Sequence, residues 1–217
     1  MAMRIFIGAP LALLIAGSAG AAEVSNASWS RTPSWAQMQA VYPVTAKSNA
    51  GSVTLRCTVG PAGVLTDCLN GGERAEGEGF YEAALKLAAL FVIAPTTLST
   101  PAEGDVVEVP FRFTRPRSKD PRELRSPKWV NQMSVAEAQS LFPAAAPDGV
   151  KQGAAVVKCQ ITAEGRLKPC SVLADAPKGM GFGAAALATA ERMAMNPWSE
   201  GFPVEGLTLS FRLAFSR

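Results

Sequence analysis

The stretch TLRCTVGPAGVLTDC, Thr54 to Cys68, has a counterpart in VVKCQITAEGRLKPC, Val156 to Cys170, and the two superpose without a gap at a spacing of 102 residues. The same spacing matches Gly51 with Gly153, Gly63 with Gly165, and Leu65 with Leu167. It continues downstream, where Gly77, Gly79, Phe80, Ala83, Ala84, Leu85, Ala88 and Pro95 fall on Gly179, Gly181, Phe182, Ala185, Ala186, Leu187, Ala190 and Pro197. Upstream the spacing becomes 100, pairing Ser34, Gln37, Tyr42 and Pro43 with Ser134, Glu137, Phe142 and Pro143. Self-similarity at one period over so many positions is the mark of a duplicated unit. The reading is two copies of one domain, at 30–114 and 129–217.

Each copy reads as an α+β module in the order helix, β-hairpin, helix, strand, with a small antiparallel sheet packed on a helix. Ser34 with Gln37, and Ser134 with Glu137, have the spacing of a capping box and open a short helix. Tyr42-Pro43 and Phe142-Pro143 close it, because the residue before proline is driven out of the helical region. Val53, Leu55, Cys57 and Val59 alternate before Gly60-Pro61-Ala62-Gly63, and Leu65 and Cys68 follow, which is a hairpin pattern. In the second copy Thr162-Ala163-Glu164-Gly165 takes the turn, with glycine where positive φ is needed. From Gly79 to Val92 the positions Phe80, Ala84, Leu87 and Phe91 form one helical stripe, repeated by Phe182, Ala186, Thr189 and Met193, with Pro95 and Pro197 as stops. The last strands alternate: Val107, Val109, Phe111 and Phe113 share a face in one copy, and Leu207, Leu209, Phe211, Leu213 and Phe215 in the other. Pro110 cannot donate a ladder hydrogen bond and places its strand at a sheet edge or a bulge.

The four cysteines form two pairs of identical spacing, Cys57 with Cys68 and Cys159 with Cys170, each flanking a hairpin turn. Four cysteines allow three connectivities. The within-copy one is expected, since both copies then need the same closure and the register sets each pair on adjacent strands. Each bond would close a loop of about 12 residues, for which chain entropy suggests about 3 kcal/mol of stabilisation. A redox role would need a C-x-x-C at a helix start, which is absent.

The 217 residues hold 21 Lys and Arg against 18 Asp and Glu, too even a balance to point to nucleic acid. The absence of histidine removes the usual triads and most zinc patterns. No constellation of nucleophile, base and orienter is found, so no enzyme, no cofactor and no metal is expected. Glu73, Glu76, Glu78 and Glu82 crowd one loop, but without the ligand order of a calcium loop they read as solvated. Residues 1–22 read as a cleaved signal peptide: Arg4, an apolar run from Ile5 to Gly17, then Ser18-Ala19-Gly20-Ala21-Ala22. That run is shorter than the roughly 20 residues that span a bilayer. Periplasmic export follows. Residues 115–128, rich in Pro, Arg and Lys, read as a linker without a packing face.

The series Tyr-Pro or Phe-Pro, hairpin with a turn glycine, Phe80 to Leu85 or Phe182 to Leu187, a proline and a final alternating strand resembles the TonB C-terminal domain. Asn196-Pro197-Trp198, Gly201 and Phe202-Pro203-Val204 are similar to that family's segment leading into its last strand. The resemblance implies a non-enzymatic module that binds a protein partner in the cell envelope, an outer-membrane receptor among the candidates, by adding the partner's extended segment to a sheet edge. The edge would be that of Val107, Val109 and Phe111, or of Leu207, Leu209, Phe211 and Leu213. The chain departs from the family in lacking a long Pro-rich span and in doubling the domain. Two alternatives stand beside this reading: an accessory energy transducer held by an uncleaved N-terminal anchor, and edges consumed by each other or by a homodimer.

Overall fold

The computed structural model describes residues 22–24, 27–95, 101–115 and 123–217. The signal-peptide reading falls outside these residues except at Ala22, as does the middle of the expected linker. The chain is mixed α+β and runs β1 (Glu23–Val24), β2 (Trp29–Arg31), α1 (Trp35–Ala40), β3 (Ala50–Val59), β4 (Leu65–Arg74), α2 (Phe80–Ala88), β5 (Val92–Ile93) and β6 (Val106–Thr114). It continues with β7 (Trp129–Asn131), α3 (Val135–Ser140), β8 (Gln152–Ile161), β9 (Leu167–Ala176), α4 (Phe182–Arg192), β10 (Ala194–Met195), β11 (Trp198–Ser199), β12 (Phe202–Pro203) and β13 (Thr208–Ser216).

The first main sheet has the order β1-β6-β3-β4 and the second β13-β8-β9. In β3, strict alternation buries Gly51, Val53, Leu55, Cys57 and Val59, and antiparallel pairing sets Val53 opposite Phe111, Leu55 opposite Val109 and Cys57 opposite Val107. Helix α2 lays Phe80, Ala83, Ala84, Leu87 and Ala88 on that face. In the second sheet Leu209 pairs with Cys159, Phe211 with Val157 and Leu213 with Ala155, and α4 covers it with Phe182, Ala186, Thr189 and Ala190. A Cβ on Gly51 would overlap the Phe80 ring, and one on Gly153 the Phe182 ring. Both glycines therefore give an aromatic ring its seat against the sheet.

Helices α1 and α3 both carry complete capping boxes, Ser34 with Gln37 and Ser134 with Glu137. Helices α2 and α4 end earlier than the apolar stripe suggests. Helix α2 stops at Ala88, and Phe91 is buried in the turn beyond it. Val92–Ile93 then pairs with β2, and Ala194–Met195 with β7. Val64 also bridges to Val92, and Arg166 to Ala194. Extended pairing on both sides satisfies this backbone better than another helical turn would, so a tertiary contact overrides the local period.

The stretch 115–128, expected to be a solvated spacer, joins the folded units at both ends. Arg115 donates from its backbone amide to Asn49 O and from its guanidinium to Ala46 O. Glu123 bridges in parallel to Thr208, and Leu124 is buried in the second core. The first unit likewise reaches back to Glu23, because β1 pairs in parallel with β6 at Val106 and Val107. Among the described residues no helix is long and apolar enough to cross a membrane.

Candidate functional site

In an antiparallel strand, the N–H and C=O of alternate residues point to the same neighbour. In β6 the residues turned away from β3 include Val106, whose N–H donates to Ala22 O, and Arg112, whose N–H donates to Gly201 O at 2.7 Å. Pro110 shares this parity. Its missing donor faces outward, where no ladder bond is lost, and its carbonyl accepts from Trp198 Nε1 at 2.9 Å. The edge of β6 is thus filled by the chain itself, with β1 at one end and the β11–β12 hairpin at the other. Val107, Val109 and Phe111, the residues expected to mark a partner edge here, are fully buried and turn their side chains into the core.

That hairpin crosses from the second half of the chain into the first. Trp198 is a member of the first core, in edge-to-face contact with Phe91 at 4.9 Å and with Phe111 at 5.4 Å. Gly201 has φ +88, and a Cβ on it would come within 2.9 Å of the Arg112 amide nitrogen. Only glycine lets the hairpin approach β6 so closely. Buried Asn196 donates from Nδ2 to Ala27 O at 2.9 Å and accepts from the Trp198 amide at 3.2 Å. Trp35 of α1 stacks on Phe202 and donates from Nε1 to Glu205 O.

The β13 edge differs. Thr208, the counterpart of Val106 at the 102-residue spacing, is bridged by Glu123 and accepts from the Leu124 amide. Beyond it, among the described residues, no strand pairs with the outer side of β13. Leu207 and Leu209 are buried, whereas Phe211 and Leu213 are only partly covered. A cleft of about 550 Å³ lies at the free end of this strand, lined by Gly153, Arg212, Ala214, Phe215 and Ser216. The matching cleft of the first sheet, beside Gly51, Arg112, Phe113 and Thr114, is about 390 Å³ and has Phe202 in its wall.

Cys57 is bonded to Cys68 and Cys159 to Cys170, each with a Cα separation of 4.0 Å. Both bonds fit an oxidising compartment. The four acidic residues near α2 do not act together: Glu78 accepts from the amide and hydroxyl of Ser48, while Glu76 and Glu82 are exposed. The Ser48 backbone bond, first among the causes, holds the Glu78 carboxyl below the usual glutamate range. Among the described residues no group of three or more His, Cys, Asp or Glu side chains could hold a metal ion.

The contact missed in sequence is the one that joins the halves. Its signal was present as an asymmetry: Trp198, Gly201 and Phe202 have Thr96, Ser99 and Thr100 at the 102-residue spacing. No protein-family model matches the chain, and neither does any curated protein or solved structure.

Proposed function

We propose that the chain is a tandem of two copies of one TonB C-terminal-like module, exported to the periplasm, which binds an envelope protein without catalysing a reaction. The duplication is supported by the equal spacing of the two disulfides, the two capping boxes and the two glycine–phenylalanine seats. Two parallel bridges add to it, Glu23 with Val106 and Glu123 with Thr208. The disulfides support an oxidising compartment.

The observation that carries the binding reading is the unequal state of the two terminal strands. The edge of β6 is filled by the chain's own segments, while among the described residues no strand pairs with the outer side of β13 beyond Thr208, beside half-covered Phe211 and Leu213. Unpaired backbone groups on a long alternating strand are a template for an added strand, and side-chain recesses beside them provide selectivity. Affinity purification from periplasmic and outer-membrane fractions tests the reading. A reproducible protein partner, lost on Ala214→Pro, is the expected result; absence of any partner, or one indifferent to that substitution, counts against it.

A further inference from the structure

The way the chain fills its own β6 edge is a template for what the β13 edge takes. On β6, one segment supplies three things together: a backbone carbonyl at Gly201 for the Arg112 amide, an indole against Phe91 and Phe111, and the Phe202 ring in the wall of the cleft beside Gly51. At the 102-residue spacing the receiving groups recur on β13 as the Ala214 amide, the side chains of Met193 and Leu213, and the cleft beside Gly153. The donor does not recur. Phe111 is fully buried where Trp198 covers it, whereas Leu213 is partly exposed. The cleft beside Gly153 is about 550 Å³ and, among the described residues, has no aromatic ring from outside its own sheet, against about 390 Å³ where Phe202 stands.

We propose that β13, from Arg212 to Ser216, is the acceptor for a tight β-hairpin of another protein that carries two aromatic residues flanking a glycine, with the first aromatic an indole, as the Trp198–Phe202 hairpin does on β6. This rests on the protein-binding reading above and names its ligand. The indole lies against half-exposed Leu213, beside the already buried Met193, a glycine permits close backbone approach to the Ala214 amide, and the second ring enters the cleft beside Gly153. Arg212 stands where β6 has Pro110, so this edge presents one more N–H donor than its counterpart. A second copy of this chain is a poor donor. Its Trp198 hairpin is already seated on its own β6, and residues 96–101, which occupy the donor position in the first half by spacing, contain neither an aromatic nor a glycine.

The test uses the oxidised full-length chain and a synthetic peptide of its own residues 196–205, NPWSEGFPVE, as the probe. Calorimetric titration and amide chemical-shift mapping are expected to give saturable binding with shifts concentrated at Arg212, Ala214 and Ser216. Affinity should fall at least tenfold when alanine replaces the peptide tryptophan, and similarly for the full chain carrying Ala214→Pro, whose proline faces the outer side as Pro110 does on β6. Should that variant fail to refold, Leu213→Ser at a half-exposed position replaces it. No binding at millimolar peptide, shifts confined to β6, or an affinity unchanged by both variants overturns the proposal. So does a concentration-dependent dimer that protects the β13 amides, since a second copy would then be the occupant. An envelope partner that is captured by the full chain, lost on Ala214→Pro and not displaced by the peptide overturns the aromatic-donor inference while leaving strand addition in place. Capture unaffected by Ala214→Pro overturns both.

Discussion

Gly201 concentrates two demands at one position. Its φ of +88 is one that side chains rarely adopt, and the space a Cβ would need is taken by the Arg112 backbone. Gly201→Ala is therefore expected to cost about 1–3 kcal/mol, as overpacking does in a close contact. Its signature, read with Trp29, Trp35 and Trp129 replaced by phenylalanine in both proteins so that Trp198 alone emits, should be a red shift and loss of anisotropy at denaturant levels where the parent is unchanged. The cysteines act differently, through the unfolded chain. Replacing Cys57 and Cys68 together by serine, with Cys159–Cys170 intact, should lower stability by about 3 kcal/mol in urea titration, since each bond closes a short loop. A midpoint unchanged in that variant would mean that the first hairpin is held by packing alone.

The two capping boxes are an internal control on charge. Both close the reciprocal bonds of the box, but α1 uses neutral Gln37, whereas α3 uses Glu137 and adds a bond from the Ser134 hydroxyl to the carboxylate. The Ser134 side-chain bond, and after it the bond from the Ser134 amide, hold the Glu137 carboxyl below the usual glutamate range. A lowered folded-state pKa means stabilisation that is present above the unfolded value and lost as pH falls through the folded one. Glu137→Gln should therefore remove part of the acid sensitivity of α3 while keeping its cap, read from thermal melts between neutral and acid pH. Ser134→Ala should cost about 1 kcal/mol at neutral pH, because it removes the acceptor for the Glu137 amide. The short strands after α2 and α4 carry a related lesson. They directly follow an apolar stripe that reads as helix up to Phe91 and Met193, yet Val92–Ile93 and Ala194–Met195 have partners on two sides once the hairpin turns and the Trp29 and Trp129 strands are in place.

For the whole molecule, one indole couples the halves. Trp198 follows α4 in the chain but is buried against Phe91 and Phe111 in the first core. Trp198→Ala is expected to destabilise the first core by about 3–5 kcal/mol, the usual cost of removing a buried large aromatic. Hydrogen exchange should accelerate at β6 amides such as Arg112 and Val109 more than at β8. If exchange rises equally in both sheets, the hairpin is only a spacer between two independent units.

Much of this architecture was legible in the residues alone. Alternation in β3, β6 and β13 set which face turns to the core, because a period of two leaves each side chain one face to occupy. The spacing of the cysteines around glycine turns placed them on adjacent strands for the same reason. The capping boxes were readable because their partners are three residues apart. The unreadable part is long in sequence: the pairing of Glu123 with Thr208, the closing of the β6 edge by Gly201, and the burial of Trp198 in a core that begins more than a hundred residues earlier. No local period encodes such contacts, since which of two equivalent edges is covered depends on how the halves dock. Repetition of sequence made two similar edges, and tertiary packing alone decided that, among the described residues, β6 is filled and β13 beyond Thr208 is not.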